Sequence, residues 1–127
     1  MIITINRCGI VLWIFLLGIF LIIGQQSVSA VNYFSTNRFS VGDKPKSAII
    51  GDFDRDEILD IAVCNFNGDD VSILIGNGDG TFQPKVDYPV GVDPRSLTTG
   101  DFNQDKILDL AVCNSSDDDV SILIGFE

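Results

Sequence analysis

The chain contains one stretch of sequence twice. Residues 51–76 read GDFDRDEILDIAVCNFNGDDVSILIG and residues 100–125 read GDFNQDKILDLAVCNSSDDDVSILIG, a gapless match at an offset of 49 with 19 of 26 positions identical. Identity at that level is beyond chance, so both stretches must adopt the same local structure, and the fold must be built by repeating one unit. The likeness reaches upstream as well. Pro45-Lys46-Ser47 lies opposite Pro94-Arg95-Ser96, Val41-Gly42 opposite Val90-Gly91, and Tyr33 and Phe39 opposite Phe82 and Tyr88.

Within each unit the apolar residues recur with period two or in short runs, which is strand spacing and not helix spacing. Ser47–Ile50 and Ser96–Thr99 read as a first strand, Ile61–Cys64 and Leu110–Cys113 as a second, and Val71–Ile75 and Val120–Ile124 as a third. Asn67-Gly68 and Asp79-Gly80 supply turns, because glycine reaches positive φ without strain. Phe82–Tyr88 and Tyr33–Phe39 give a fourth, more polar strand, which Pro84 assigns to a sheet edge. Four short antiparallel strands about every 45 residues are the pattern of a propeller blade. The expected fold is all-β: two four-stranded antiparallel blades of a partial β-propeller. Its repeats cover about 41–89 and 90–127, with 32–40 as an extra outer strand.

Two blades do not close a ring, since propellers need about four to eight. Either the chain is part of a longer repeat protein, or several copies close a homo-oligomeric ring by strand exchange. In the second case the first strand of each chain completes its neighbour's last sheet.

Chemistry concentrates between the first and second strands. Asp52, Asp54, Asp56 and Asp60 occupy positions 1, 3, 5 and 9 of one loop, and Asp101, Asn103, Asp105 and Asp109 the same positions of the other. Alternate residues of a tight turn point to one side, so these oxygens converge. Calcium takes six to eight oxygens at flexible angles, whereas magnesium holds its waters and a stricter octahedron. The carbonyls of Ile58 and Ile107, at position 7, can add one ligand each. Aspartate is also a common turn residue, but two loops in one register, each crowding carboxylates together, favour a cation. An EF-hand is excluded: it needs a bidentate glutamate at position 12, where this chain has Val63 and Val112 inside strand patterns.

The rest of the composition narrows the function classes. The chain has no histidine, which removes Ser–His and Cys–His catalysis and imidazole ligands. Beyond residue 30 it carries 7 basic and 18 acidic residues, a balance that repels nucleic acid. Arg7 precedes an uninterrupted apolar run of sixteen residues, Gly9–Gly24, followed by Val28-Ser29-Ala30 with small or apolar residues around a cut after Ala30. Residues 1–30 therefore read as an apolar signal helix for secretion. The alternative is an uncleaved signal anchor, the one case in which a membrane is a partner, although the run is short of the ~20 residues that span hydrocarbon. Cys64 and Cys113 stand at equivalent repeat positions and read as small buried hydrophobes. Asn114-Ser115-Ser116 is a glycosylation sequon.

The units GDFDRDEILDIAVCN and GDFNQDKILDLAVCN, followed by VSILIGNGDGTF, resemble FG-GAP/VCBS-type repeats. The resemblance covers most of residues 33–127 and implies a β-propeller of the kind found in integrin α heads and other extracellular adhesion proteins. It further implies calcium held by Asp52, Asp54, Asp56, the Ile58 carbonyl and Asp60, and by Asp101, Asn103, Asp105, the Ile107 carbonyl and Asp109. At position 6 the family has glycine, where this chain has Glu57 and Lys106. If that position needs positive φ, each substitution costs about 1 kcal/mol. Asn103 and Lys106 both lower the negative charge of the second loop, which is expected to bind more weakly.

The expected function is thus a non-enzymatic, secreted, calcium-binding repeat module that contacts an extracellular protein or a carbohydrate. The alternative is a non-catalytic accessory domain of an extracellular enzyme.

Overall fold

The computed structural model describes residues 3–6, 9–12 and 34–125. Contacts divide the chain into two units, residues 1–36 and 37–127.

In the first unit, β1 (Ile3–Asn6) and β2 (Gly9–Leu12) pair antiparallel from Ile3↔Leu12 to Asn6↔Gly9. Of the expected apolar helix, only these two strands fall among the described residues. Ile3, Thr4, Ile5, Ile10 and Val11 are β-branched and favour strands, and Gly9 is a poor helix former. Residues 13–24 of the apolar run and the cut after Ala30 lie outside the described residues.

The second unit holds two antiparallel sheets. β3 (Pro45–Gly51), β4 (Asp60–Asn65), β5 (Asp70–Leu74) and β6 (Val86–Pro89) form one in the order β3-β4-β5-β6. β7 (Pro94–Gly100), β8 (Asp109–Asn114) and β9 (Asp119–Leu123) form the other in the order β7-β8-β9. The registers repeat at the sequence offset: Ile49↔Ala62 and Thr98↔Ala111, Cys64↔Val71 and Cys113↔Val120. Each first strand slips by one residue after its proline, between Pro45 and Ser47 and between Pro94 and Ser96, where the missing N–H breaks the ladder. No helix occurs among the described residues.

Two expectations about strands are corrected. The second sheet has three strands and not four, and residues 34–41 form none. The outer place on the first sheet is taken by β6, and Phe39 instead packs edge-on against Phe82 at 5.0 Å. The fourth strand is also shorter than Phe82–Tyr88. Phe82 makes an isolated bridge to Gly76, and regular pairing resumes only at Val86, beyond Pro84.

Side chains alternate across a strand, so the register sorts them into faces. Ile49, Ala62, Cys64, Val71 and Ile73 share one face of the first sheet. Leu97, Leu110, Val112 and Leu123 share one face of the second. All belong to a single core cluster, completed by Phe53 and Val90. The core is a layer between the two sheets, with β7 lying along β3 and β4.

Candidate metal centre

Both acidic loops leave the first strand of a sheet and return as the second, spanning 52–59 between β3 and β4 and 101–108 between β7 and β8. Four residues in them are left-handed: Arg55 at φ 65° and Glu57 at 67°, Gln104 at 66° and Lys106 at 70°. Position 6 thus needs positive φ, as its departure from glycine anticipates, at a cost of about 1 kcal/mol each. Position 4 shares this conformation, which no side chain in the sequence signals.

Alternation of left- and right-handed residues turns successive N–H groups inward, and the carboxylates accept them. Asp52 Oδ1 accepts from the Asp56 N–H and Oδ2 from the Glu57 N–H, both at 3.1 Å. Asp54 Oδ1 accepts from the Asp56 N–H at 3.2 Å, and Asp56 Oδ1 from the Ile58 N–H at 2.8 Å, two Asx-turns in tandem. In the second loop Asp101, Asn103 and Asp105 accept from the N–H groups of Asp105, Lys106 and Ile107 at 2.8–3.0 Å in the same pattern.

The ninth position is held most firmly. Asp60 and Asp109 are fully buried. Asp60 Oδ2 accepts from the Phe53 N–H at 2.7 Å and Oδ1 from the Gly76 N–H at 2.8 Å. Asp109 does the same with Phe102 and Gly125, at 2.7 and 2.8 Å. A Cβ on Gly76 would stand 2.5 Å from the Leu59 carbonyl oxygen, so only glycine brings its N–H that close. Sequence reasoning missed these donors, although Gly76 and Gly125 close the identical stretches.

Of the expected first-loop ligands, Asp52, Asp54 and Asp60 come together, each offering an oxygen within 4.8 Å of the others. Oxygens bound to one calcium at 2.3–2.6 Å can be no more than about 5 Å apart, so the three fit a single ion. Both Asp60 oxygens keep lone pairs beyond the N–H bonds they accept. Asp56 lies outside this group, and Ile58 is half-buried with its N–H turned to Asp56. Desolvation, and then the charges of Asp56, Asp60 and Asp52, hold the Asp54 carboxyl above its ordinary value, against the lowering effect of the Asp56 N–H.

The second loop differs in one bond. Asn103 Nδ2 donates to Asp105 Oδ2 at 2.7 Å. Where the first loop sets carboxylate against carboxylate, the second has a neutral amide that occupies an oxygen of its neighbour. Ile107 is buried and Asp101 exposed.

The sequon takes a definite place, and one further expectation changes. The Asn114 amide is 2% exposed and donates to Asp119 Oδ1 and Ser121 Oγ, both at 2.7 Å, so the sequon nitrogen is enclosed where glycan transfer requires it free. Cys64 is buried, and that burial pushes its thiol up, but Cys113 is exposed because its sheet face has no neighbour.

Residues 52–112 match a family model described as FG-GAP-like repeat. No curated protein and no solved structure gives a significant match. The matched segment begins at the first acidic loop, just after β3, takes in β4 to β7 and ends within β8, so that both acidic loops fall inside it. From the first residue of one acidic loop to the strand that follows the other, this chain is similar to FG-GAP-like repeats.

Proposed function

We propose that the protein is an extracellular calcium-binding repeat module, whose two sheets act as successive blades of a β-propeller and serve adhesion or ligand binding rather than catalysis. The observation that carries this reading is the convergence of Asp52, Asp54 and Asp60 oxygens within 4.8 Å. A bound ion would neutralise their mutual repulsion and fasten the start of β4 to the loop behind it. It would also act on the core, because Phe53 sits between two of the acids, bonds Asp60 through its N–H and packs against the core cluster. Export is supported by Arg7 and the apolar run that follows it, and by the extracellular habit of FG-GAP-like repeats. A binding role is supported by the carboxylates themselves, which are engaged by backbone N–H groups in matching registers rather than paired across a cleft.

The second loop is the weaker site, since Asn103 contributes no charge and Lys106 adds a positive one. Isothermal titration of calcium into the protein tests both claims. Asp54→Ala should remove the tighter binding event, and Asn103→Ala should alter only the weaker one. An absence of binding heat, with no rise in melting temperature between chelator and millimolar calcium, would exclude the ion. Equal or reversed effects of the two substitutions would exclude the ranking.

A further inference from the structure

The two sheets pack head to tail. The face of the first sheet that is buried, carrying Ala62, Cys64, Val71 and Ile73, meets the opposite face of the second, carrying Leu97, Leu110 and Val112. Moving each set by one repeat gives the two faces left over. Ala111, Cys113, Val120 and Ile122 on the second sheet copy the first set, and Ala48, Ile61 and Val63 on the first sheet copy the second. Apart from Val63, which is buried, the copies are more open than the originals. Val71 is fully buried, but Val120 is 54% exposed, and Ile122 is exposed where Ile73 is partly covered. At the loop end, Phe53 joins the core and Leu108 approaches Gly51, whereas their counterparts Phe102 and Leu59 are both exposed. Ile50, on the free face of the first sheet, is 62% exposed.

Each chain therefore presents both halves of an interface that it already contains once, at opposite ends of the same unit. We infer that a second copy of this chain docks the Ala48/Ile50/Leu59 face of its first sheet onto the Phe102/Val120/Ile122 face of the second sheet, repeating the internal contact between chains. The occupant is a second copy because the surface complementary to each open face is present on the chain itself, at the same register positions as the packed interface, with Leu59 matching Leu108 and with Ala48 and Ile50 standing where that interface has Leu97 and Thr99. Such a contact is heterologous, and it closes into a ring when the rotation per sheet allows; about four to eight sheets would mean two to four chains. It uses sheet faces and leaves the β9 edge free, so it needs neither the expected outer strand at 32–40 nor a bound ion.

Sedimentation velocity on the full chain and two variants tests it. Val120→Arg spoils one face and Ile50→Arg the other; both side chains are more than half exposed, so each variant should keep the parent circular dichroism spectrum. The parent is expected to sediment as an assembly and each variant alone as a monomer. Mixed in equal amounts, the variants should form a dimer of twice the monomer mass and nothing larger, because each retains the face the other has lost. The pair Ile122→Arg and Leu59→Arg should behave identically. A parent that stays monomeric at its highest soluble concentration overturns the inference, whether further repeats or an unrelated protein cover these faces. So does a single variant that keeps the parent mass, or a mixture that stays monomeric.

Discussion

Asp54 differs from its counterpart Asn103 by a single side-chain group, and the difference sets what each loop needs. Asp54 faces Asp52, Asp56 and Asp60 as a fourth acid, whereas Asn103 donates a hydrogen bond to Asp105. The Asp54 carboxyl is raised above 3.8 in the folded, ion-free chain. A folded value above the unfolded one means that the charged form is disfavoured by folding, so Asp54 lowers stability at neutral pH. That penalty disappears as pH falls through the folded value toward 3.8. Asp54→Asn should therefore raise the melting temperature in chelator at pH 7 and leave it nearly unchanged well below pH 3.8, where the carboxyl is neutral in both the folded and unfolded chain. In millimolar calcium at pH 7 the same substitution should lower the melting temperature, because a ligand is lost. Thermal scans under the three conditions check this, and a shift of one sign at pH 7 with and without calcium would remove Asp54 from the ion's shell.

Among the elements, the sheets are tied across their ends by a polar relay that the repeats share only in part. Ser72 Oγ, fully buried, accepts from Asn65 Nδ2 at 2.8 Å and from the Gly42 N–H at 3.2 Å, and donates to Asp87 Oδ1 on β6 at 2.7 Å. In the second sheet Ser121 Oγ accepts from Asn114 Nδ2 and the Gly91 N–H, but no β6 equivalent follows it among the described residues. The hydrogen bonds from Lys85 and Ser72 hold the Asp87 carboxyl below its ordinary value. Asp87 thus supports the fold at neutral pH, and that support is lost only as pH falls below the usual aspartate range. Ser72→Ala is expected to cost about 1–3 kcal/mol and Ser121→Ala less, as read from urea denaturation at pH 7. Equal costs would mean that the bond to Asp87 contributes nothing. The three inner strands of each sheet were legible from period-two patterning and turn residues, because those signals are local. The fourth strand was less so: Pro84 interrupts it, and the apolar pattern at 32–40 resembles a strand whose pairing partner the sequence does not specify. The burial of the Asn114 amide was illegible for the same reason, since it depends on Ser121 and Asp119 one hairpin away.

For the whole molecule, the governing fact is that nearly identical sheets sit in unequal surroundings. Ligand positions in the loops could be read from spacing, because they depend on neighbours a few residues away. Which apolar residues are core could not, because Cys64 and Cys113, or Val71 and Val120, have the same local sequence and differ only in what is stacked above them. A matched pair of substitutions makes this measurable. Val71→Ala removes two buried methyl groups from the layer between the sheets, at about 0.8 kcal/mol each plus a cavity term, so a loss of about 2 kcal/mol is expected. Val120→Ala makes the same change on the open face and should cost close to nothing in dilute solution, where single chains prevail. As protein concentration rises and chains dock, the Val120→Ala penalty should grow toward that of Val71→Ala, because the second copy supplies the neighbour that the first sheet already has. Urea denaturation across a concentration series reads both trends. Equal penalties at every concentration would mean that the Val120 face is covered within a single chain, and a Val71→Ala penalty near zero would mean that the two sheets do not share a core.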